Sequence, residues 1–178
     1  MSKNVLIISS SPRKGGNTEA LCQQFAKGAT EAGNQVELIS LIGKKIAPCL
    51  GCGTCQSGAC CQKDDAPAIL DKMLAADVIV LATPVYFYTM CAQLKALIDR
   101  SVMIYPNLTN KAFYYLIAMA DTDKKMFAGT LAALRGFLEC CEGSQEAGKI
   151  CALGVYEKGT VQTTPAWEAC YQLGRKVS

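Results

Sequence analysis

Histidine is absent from the 178 residues. That excludes any mechanism built on an imidazole acid, base, nucleophile or metal ligand. No hydrophobic run reaches transmembrane length. The longest are Ala75–Ala82, broken by Asp77, and Ala112–Ala120. Charge of either sign is sparse: Lys and Arg number 18, Asp and Glu 15, for a net charge of +3. The basic residues are scattered, so the patch that a nucleic-acid surface needs is missing. No signal peptide precedes the first strand-like run, Val5-Leu6-Ile7-Ile8. A cytoplasmic protein with neither nucleic acid nor membrane as partner is expected. A Walker loop, G-x-x-x-x-G-K-S/T, is absent, as is the dinucleotide pattern G-x-G-x-x-G.

Hydrophobic residues make up 51% of the chain, enough for a sizeable core in one domain, 1–178. Cysteine is plentiful, with 11 residues. In a reducing compartment so many thiols point to metal binding or redox work rather than disulfides.

The apolar pattern alternates strand with helix. Strands are expected at Lys3–Ser9, Gln35–Leu41, Asp77–Ala82, Lys111–Ala120 and Lys149–Val155. The helix expected over Thr18–Ala32 puts Leu21, Phe25, Ala29 and Ala32 on one face. Another starts near Pro67, with Ile69, Leu70, Met73 and Leu74. A third spans Cys91–Ser101, with Leu94, Leu97, Ile98 and Ser101 inward. A fourth spans Met126–Cys141, carrying Leu131, Leu134, Leu138 and Cys141. The last covers Pro165–Lys176, burying Ala166, Cys170, Leu173 and Val177. This order predicts right-handed crossovers and a parallel sheet. The expected fold class is α/β, a three-layer, doubly wound, five-stranded parallel sheet. Ligands then lie beyond the carboxyl ends of the strands, at the switch point. The candidate loops are Ser9–Thr18, Thr83–Met90 and Asp121–Lys125.

Three constellations carry chemistry. The first is Ser9-Ser10-Ser11-Pro12-Arg13-Lys14-Gly15-Gly16-Asn17-Thr18, which joins a strand to a helix start. Hydroxyls, backbone N–H groups, a guanidinium and a helix N-terminus suit a phosphate. An ordinary Ser- and Gly-rich turn is the alternative. The second is Thr83-Pro84-Val85-Tyr86-Phe87-Tyr88. An aromatic loop beside a phosphate loop suits a flat conjugated ring with a phosphate tail. The alternative is core or a subunit interface. The third lies in a Cys-rich insertion at about 43–65, which lacks periodicity. Cys49, Cys52, Cys55 and Cys60 follow C-x2-C-x2-C-x4-C, or x5 if Cys61 is the fourth. This compact spacing matches loops that hold a cubane iron–sulfur cluster. Zinc, a redox-active dithiol or a loop that binds nothing are the alternatives. Cys22, Cys91, Cys140, Cys141, Cys151 and Cys170 fall in helix or strand patterns and read as small buried hydrophobes. Asp64-Asp65 reads as a helix start.

The chain resembles the NADPH-dependent FMN reductase-like branch of the flavodoxin-like fold, and within it the iron–sulfur flavoproteins. The residues that carry the likeness are Ser11-Pro12-Arg13 with Gly16-Asn17-Thr18, Thr83–Phe87, Ala92-Gln93-Leu94-Lys95 with Ile98-Asp99-Arg100, and the tail Gly154–Gly159. The resemblance implies non-covalent FMN. Ser11, Arg13, Asn17 and Thr18 would hold its phosphate in the loop that contains Gly16, and Pro84, Val85, Tyr86 and Phe87 would line its ring and ribityl chain. It implies a 4Fe-4S cluster on Cys49, Cys52 and Cys55 with Cys60 or Cys61. It also implies NAD(P)H or a small carrier as electron donor, a small-molecule or protein acceptor, and a homodimer or homotetramer. The loop Ala120-Asp121-Thr122-Asp123 departs from the family, whose members often place glycines there. No catalytic side chain is required. The alternatives are a non-enzymatic flavodoxin-like carrier and a quinone or nitro reductase with a cluster-free cysteine loop.

Overall fold

The computed structural model describes residues 1–178. The first apolar run forms β1, Asn4–Ser9, with Val5 through Ile8 all buried. A strand buried on both faces must be covered on both. Val5 and Ile7 join the core on one side, and Leu6 and Ile8 join the core on the other. Helix α1, Asn17–Glu31, follows with Leu21, Phe25 and Ala29 inward. Ala32, expected on that inner face, is exposed because the helix ends at Glu31 and Ala32 is its C-cap.

Edge strand β2, Gln35–Ser40, precedes the cysteine segment, whose only regular element is a 3-10 turn at Thr54–Ser57. Helix α2, Ala66–Ala75, buries Ile69, Leu70 and Met73. Next come β3, Val78–Tyr86, a two-residue β4, Thr89–Met90, and α3, Ala92–Arg100. The chain finishes with β5, Ala112–Ala118, α4, Ala128–Glu139, β6, Gln145–Ala152, and α5, Pro165–Arg175. Helices α2, α3 and α4 cover one face of the sheet, and α1 and α5 the other.

The sheet runs β2-β1-β3-β5-β6, all parallel, with β4 antiparallel to the end of β3. Counting the parallel strands alone gives the flavodoxin-like 2-1-3-4-5 order. The expected five-stranded parallel sheet is therefore present, and β4 is an addition.

Two strands depart most from their expected bounds. The segment Thr83–Met90, expected as a loop, prolongs β3 to Tyr86 and turns back as β4. β1 stops pairing at Ser9 opposite Ala82. Pro84 therefore stands where β3 has become an edge strand on that side, a setting that tolerates proline. The other change is β6, which starts at Gln145 rather than Lys149 and ends before Val155. Its first residues, Gln145-Glu146-Ala147-Gly148, are polar or small, so hydrophobicity does not mark them. They pair with β5 through a register shift between Phe113 and Tyr114.

Candidate functional site

The β1–α1 loop is built by its own short-range bonds. Ser10 Oγ donates to Ala82 O on β3 at 2.6 Å. Ser11 Oγ accepts from Arg13 N–H at 3.2 Å, and Gly16 N–H donates to Arg13 O at 3.0 Å. A Cβ on Gly16 would lie 2.9 Å from Arg13 O, so the turn admits only glycine there without shifting. Gly16 is also the N-cap of α1 and supplies no side-chain cap. The N–H groups of Asn17, Thr18 and Glu19 have no acceptor within their helix. Glu19 instead caps Gly15 N–H at 2.7 Å.

The segment after β6 is fastened to this loop by two side chains. Asn17 Nδ2 donates to Val155 O at 3.2 Å and Glu157 O at 2.8 Å, and Asn17 Oδ1 accepts from Val161 N–H at 3.2 Å. Arg13 Nη1 donates to Tyr156 O at 2.8 Å, and its guanidinium carbon lies 5.6 Å from the Tyr156 ring centre. The Asn17 amide thus serves the tail, leaving its backbone N–H for a ligand.

These elements enclose a cleft of about 180 Å³ lined by Ser11, Arg13, Gly16, Asn17, Thr18, Pro84, Val85 and Tyr86. Ala118, Ala120, Val155 and Tyr156 complete it. Eight of the nine residues expected at a cofactor site therefore share one cleft. The ninth, Phe87, lines an adjoining cavity of about 260 Å³ with Val85, Tyr88, Met119, Ala120 and Asp121. Val85 and Ala120 belong to both spaces. The two adjoin as one trough, which runs from the α1 N-terminus at one end to Phe87 and Tyr88 at the other. Residue-type reasoning missed Ala118 and Met119, which bear no chemistry of their own. Only their position at the end of β5 marks them. Val155 and Tyr156 were marked by the tail motif.

The aromatic end is a strained hairpin. Phe87 and Tyr88, at φ 48° and 64°, form the two-residue turn between β3 and β4. Such a turn is usually Asn-Gly, and left-handed φ at two aromatic residues costs about 1–3 kcal/mol each. Phe87 is 98% exposed.

Below the loop, Cys91 is fully buried at the α3 N-cap. Its thiol bonds Ser10 O at 3.2 Å, and its N–H donates to Thr83 Oγ1 at 3.1 Å. Burial pushes the Cys22 thiol up to about 12 and also raises Cys170. These three are structural thiols. Cys140, expected to be buried, is exposed at the C-cap of α4.

The cysteine segment borders a separate cavity of about 520 Å³. Cys49, Cys52, Cys55 and Cys60 line it, together with Arg100, Met103 and Tyr105; Cys61 does not. As they stand, no three of these thiols converge on a common point. The one close pair is Cys52 with Cys61, at 3.7 Å between sulfurs. Asp64 accepts from Ala66 N–H at the start of α2 at 3.1 Å, as expected of a helix-start carboxylate, and it also grips the buried Arg100 through two bonds, at 2.6 and 3.1 Å. Burial works to raise the Asp64 carboxyl, but the Arg100 fork and the Ala47 and Ala66 N–H groups outweigh it and hold it below its usual range.

Residues 3–154 match the family model described as NADPH-dependent FMN reductase. The chain belongs to this family. It is 47% identical over 98 residues to an iron–sulfur flavoprotein of Methanocaldococcus jannaschii, covering 54% of this chain and 51% of that one. It is 43% identical over 98 residues to an iron–sulfur flavoprotein of Methanosarcina thermophila, with the same coverage of 54% and 51%. The chain spans about half the length of the curated relatives it matches. Its fold is shared by the NAD(P)H:quinone oxidoreductase of Methanothermobacter marburgensis, with a TM-score of 0.78 at 15% identity, over 98% of this chain and 96% of that one. No helix is long and apolar enough to cross a membrane.

FMN carries a phosphate and a flat ring, which call for anion donors beside an apolar surface. The trough meets both demands, through the uncapped α1 N-terminus at one end and Val85, Phe87 and Met119 at the other. The cysteine cavity offers the donor type a cluster takes, in thiols that do not converge as they stand. Its cysteines are all free thiols, and its other lining residues are neutral apart from Arg100.

Proposed function

We propose that this chain is an FMN-dependent oxidoreductase that takes electrons from NAD(P)H or a small electron carrier and delivers them to a separate acceptor. The observation that carries the reading is the trough. The free N–H groups of α1 and the Arg13 guanidinium open onto the same cleft as Pro84, Val85 and Tyr86. Ser11, Arg13 and Thr18 would hold the phosphate, together with the N–H groups of Asn17 and Thr18 around the turn made by Gly16. Pro84 through Phe87 would line the ring and ribityl chain. Bound FMN supplies the hydride and one-electron chemistry. The protein contributes position and water exclusion, and no side-chain acid or base is needed, in keeping with the absence of histidine.

Cys49, Cys52, Cys55 and Cys60 would hold a 4Fe-4S cluster, a reading supported by their common cavity and by the names of the relatives. The exposed Phe87 and Tyr88 at the aromatic end support a homodimer or homotetramer in which a second copy covers the ring. Eleven free thiols fit a reducing compartment such as the cytoplasm.

Steady-state NAD(P)H oxidation with quinone, nitro-compound and ferric acceptors tests the activity. No turnover with any of them would leave a flavodoxin-like carrier. Iron and sulfide analysis after anaerobic purification tests the cysteine loop. Flavin absorbance without iron or sulfide would leave a reductase with a purely structural loop.

A further inference from the structure

Arg100 ends α3, and its side chain is 1% exposed. A buried guanidinium is costly unless its donors are met. Nη1 donates to Asp64 Oδ2 at 2.6 Å and to Ala47 O at 3.1 Å. Nη2 donates to Asp64 Oδ1 at 3.1 Å and to Cys60 Sγ at 3.4 Å. Nε is buried with no partner at all. The fork to Asp64 accounts for the ion pair. It does not account for the bond to Cys60, the idle Nε, or the place of this arginine in the wall of the cysteine cavity.

We propose that Arg100 is a positioning residue for an iron–sulfur cluster in this loop: its bond to Cys60 selects that thiolate over the adjacent Cys61 and raises the reduction potential of the bound cluster. The inference rests on the cluster reading above. A ligand sulfur that accepts a hydrogen bond gives less electron density to iron, which favours the reduced state. Asp64 offsets the charge of Arg100, so the directional bond carries the effect rather than a bare positive field. Cys61 has no such donor. Its sulfur lies against Cys52, and it does not line the cavity.

The test uses anaerobically purified protein titrated with redox mediators and followed by electron paramagnetic resonance. Arg100→Met alone would strand Asp64 without a partner, so two other variants serve. Arg100→Lys keeps the charge and loses the fork. Arg100→Gln with Asp64→Asn removes both charges. Net charge is unchanged in each, so a shift reads the lost bond. Both are expected to give a midpoint more negative than that of the wild type, and Cys61→Ser is expected to keep full iron and sulfide at the wild-type midpoint. Loss of iron from an Arg100 variant with native circular dichroism supports positioning equally. Wild-type midpoints in both Arg100 variants overturn the inference while the cluster reading stands, as does retention of iron by Cys60→Ser with its loss from Cys61→Ser. Absence of iron and sulfide from the wild type overturns the cluster reading, and this inference with it.

Discussion

Arg13 and Asn17 sit four residues apart in one loop and divide its work. Arg13 is exposed and its side chain makes one hydrogen bond, to Tyr156 O, which leaves its other guanidinium donors for a phosphate. Replacing it with alanine removes a charge-assisted contact worth roughly 1.5–3 kcal/mol. Arg13→Ala is therefore expected to weaken FMN binding about 10- to 100-fold, read by flavin fluorescence titration. Unchanged affinity would argue against the loop as the phosphate site. Asn17 is buried, and its amide ties residues of the segment Val155–Val161 to the loop. The strand-to-helix turn that gathers Ser11, Arg13, Gly16, Asn17 and Thr18 is legible in the sequence. The partners of the Asn17 amide lie 138 to 144 positions away. No local pattern encodes that distance, so its bracing role had to come from the structure. Asp64 and Arg100, 36 positions apart, are the same case.

At the scale of elements, α1 and α5 meet backbone to backbone. A Cβ on Gly28 would fall 2.3 Å from Tyr171 O, and one on Gly174 would fall 2.3 Å from Phe25 O. Neither contact can give, because each atom is main chain held in a helix. Gly174→Ala is expected to push the helices apart and lower stability by about 1–3 kcal/mol, measured by urea denaturation. Wild-type stability would mean the crossing is looser than these distances allow. Helix periodicity predicted both helices but not their crossing, since glycine carries no hydrophobic signal. On the other face, α4 is tied to β6 by Arg135, with Glu146 between it and Lys149. The Arg135 bond, then Lys149, hold the Glu146 carboxyl down to about 2. A carboxyl lowered on folding stabilises above its unfolded value of about 4.3 and loses that contribution as pH falls toward its folded one. Arg135→Gln is expected to lose its native circular dichroism at higher pH than the wild type in an acid titration, within the window from about pH 4.3 to pH 2. Coincident acid transitions would show that the pair contributes nothing.

For the whole molecule, the strand order puts the ends of β1, β3 and β5 side by side, with the segment after β6 closing over them. A ligand seated there touches four separate segments and should stabilise the entire fold. At free FMN about 100 times its dissociation constant, stabilisation is about 2.7 kcal/mol, a rise in Tm of about 5–10 °C for a chain of this size. Differential scanning calorimetry checks this, and an unmoved transition would count against the trough as the flavin site. What the sequence by itself determined is the five parallel strands and five helices, their alternation and the residue types gathered in three loops. Those features follow from local backbone periodicity and from residue types, both of which are written within a few consecutive positions. The tertiary structure alone decided that Thr83–Met90 is a strained hairpin, that Asn17 braces the tail, that two glycines set a helix crossing, and that a buried arginine reaches one of two adjacent cysteines. Each depends on which distant segments meet, and that is settled only when the sheet closes its order and the helices cover its two faces.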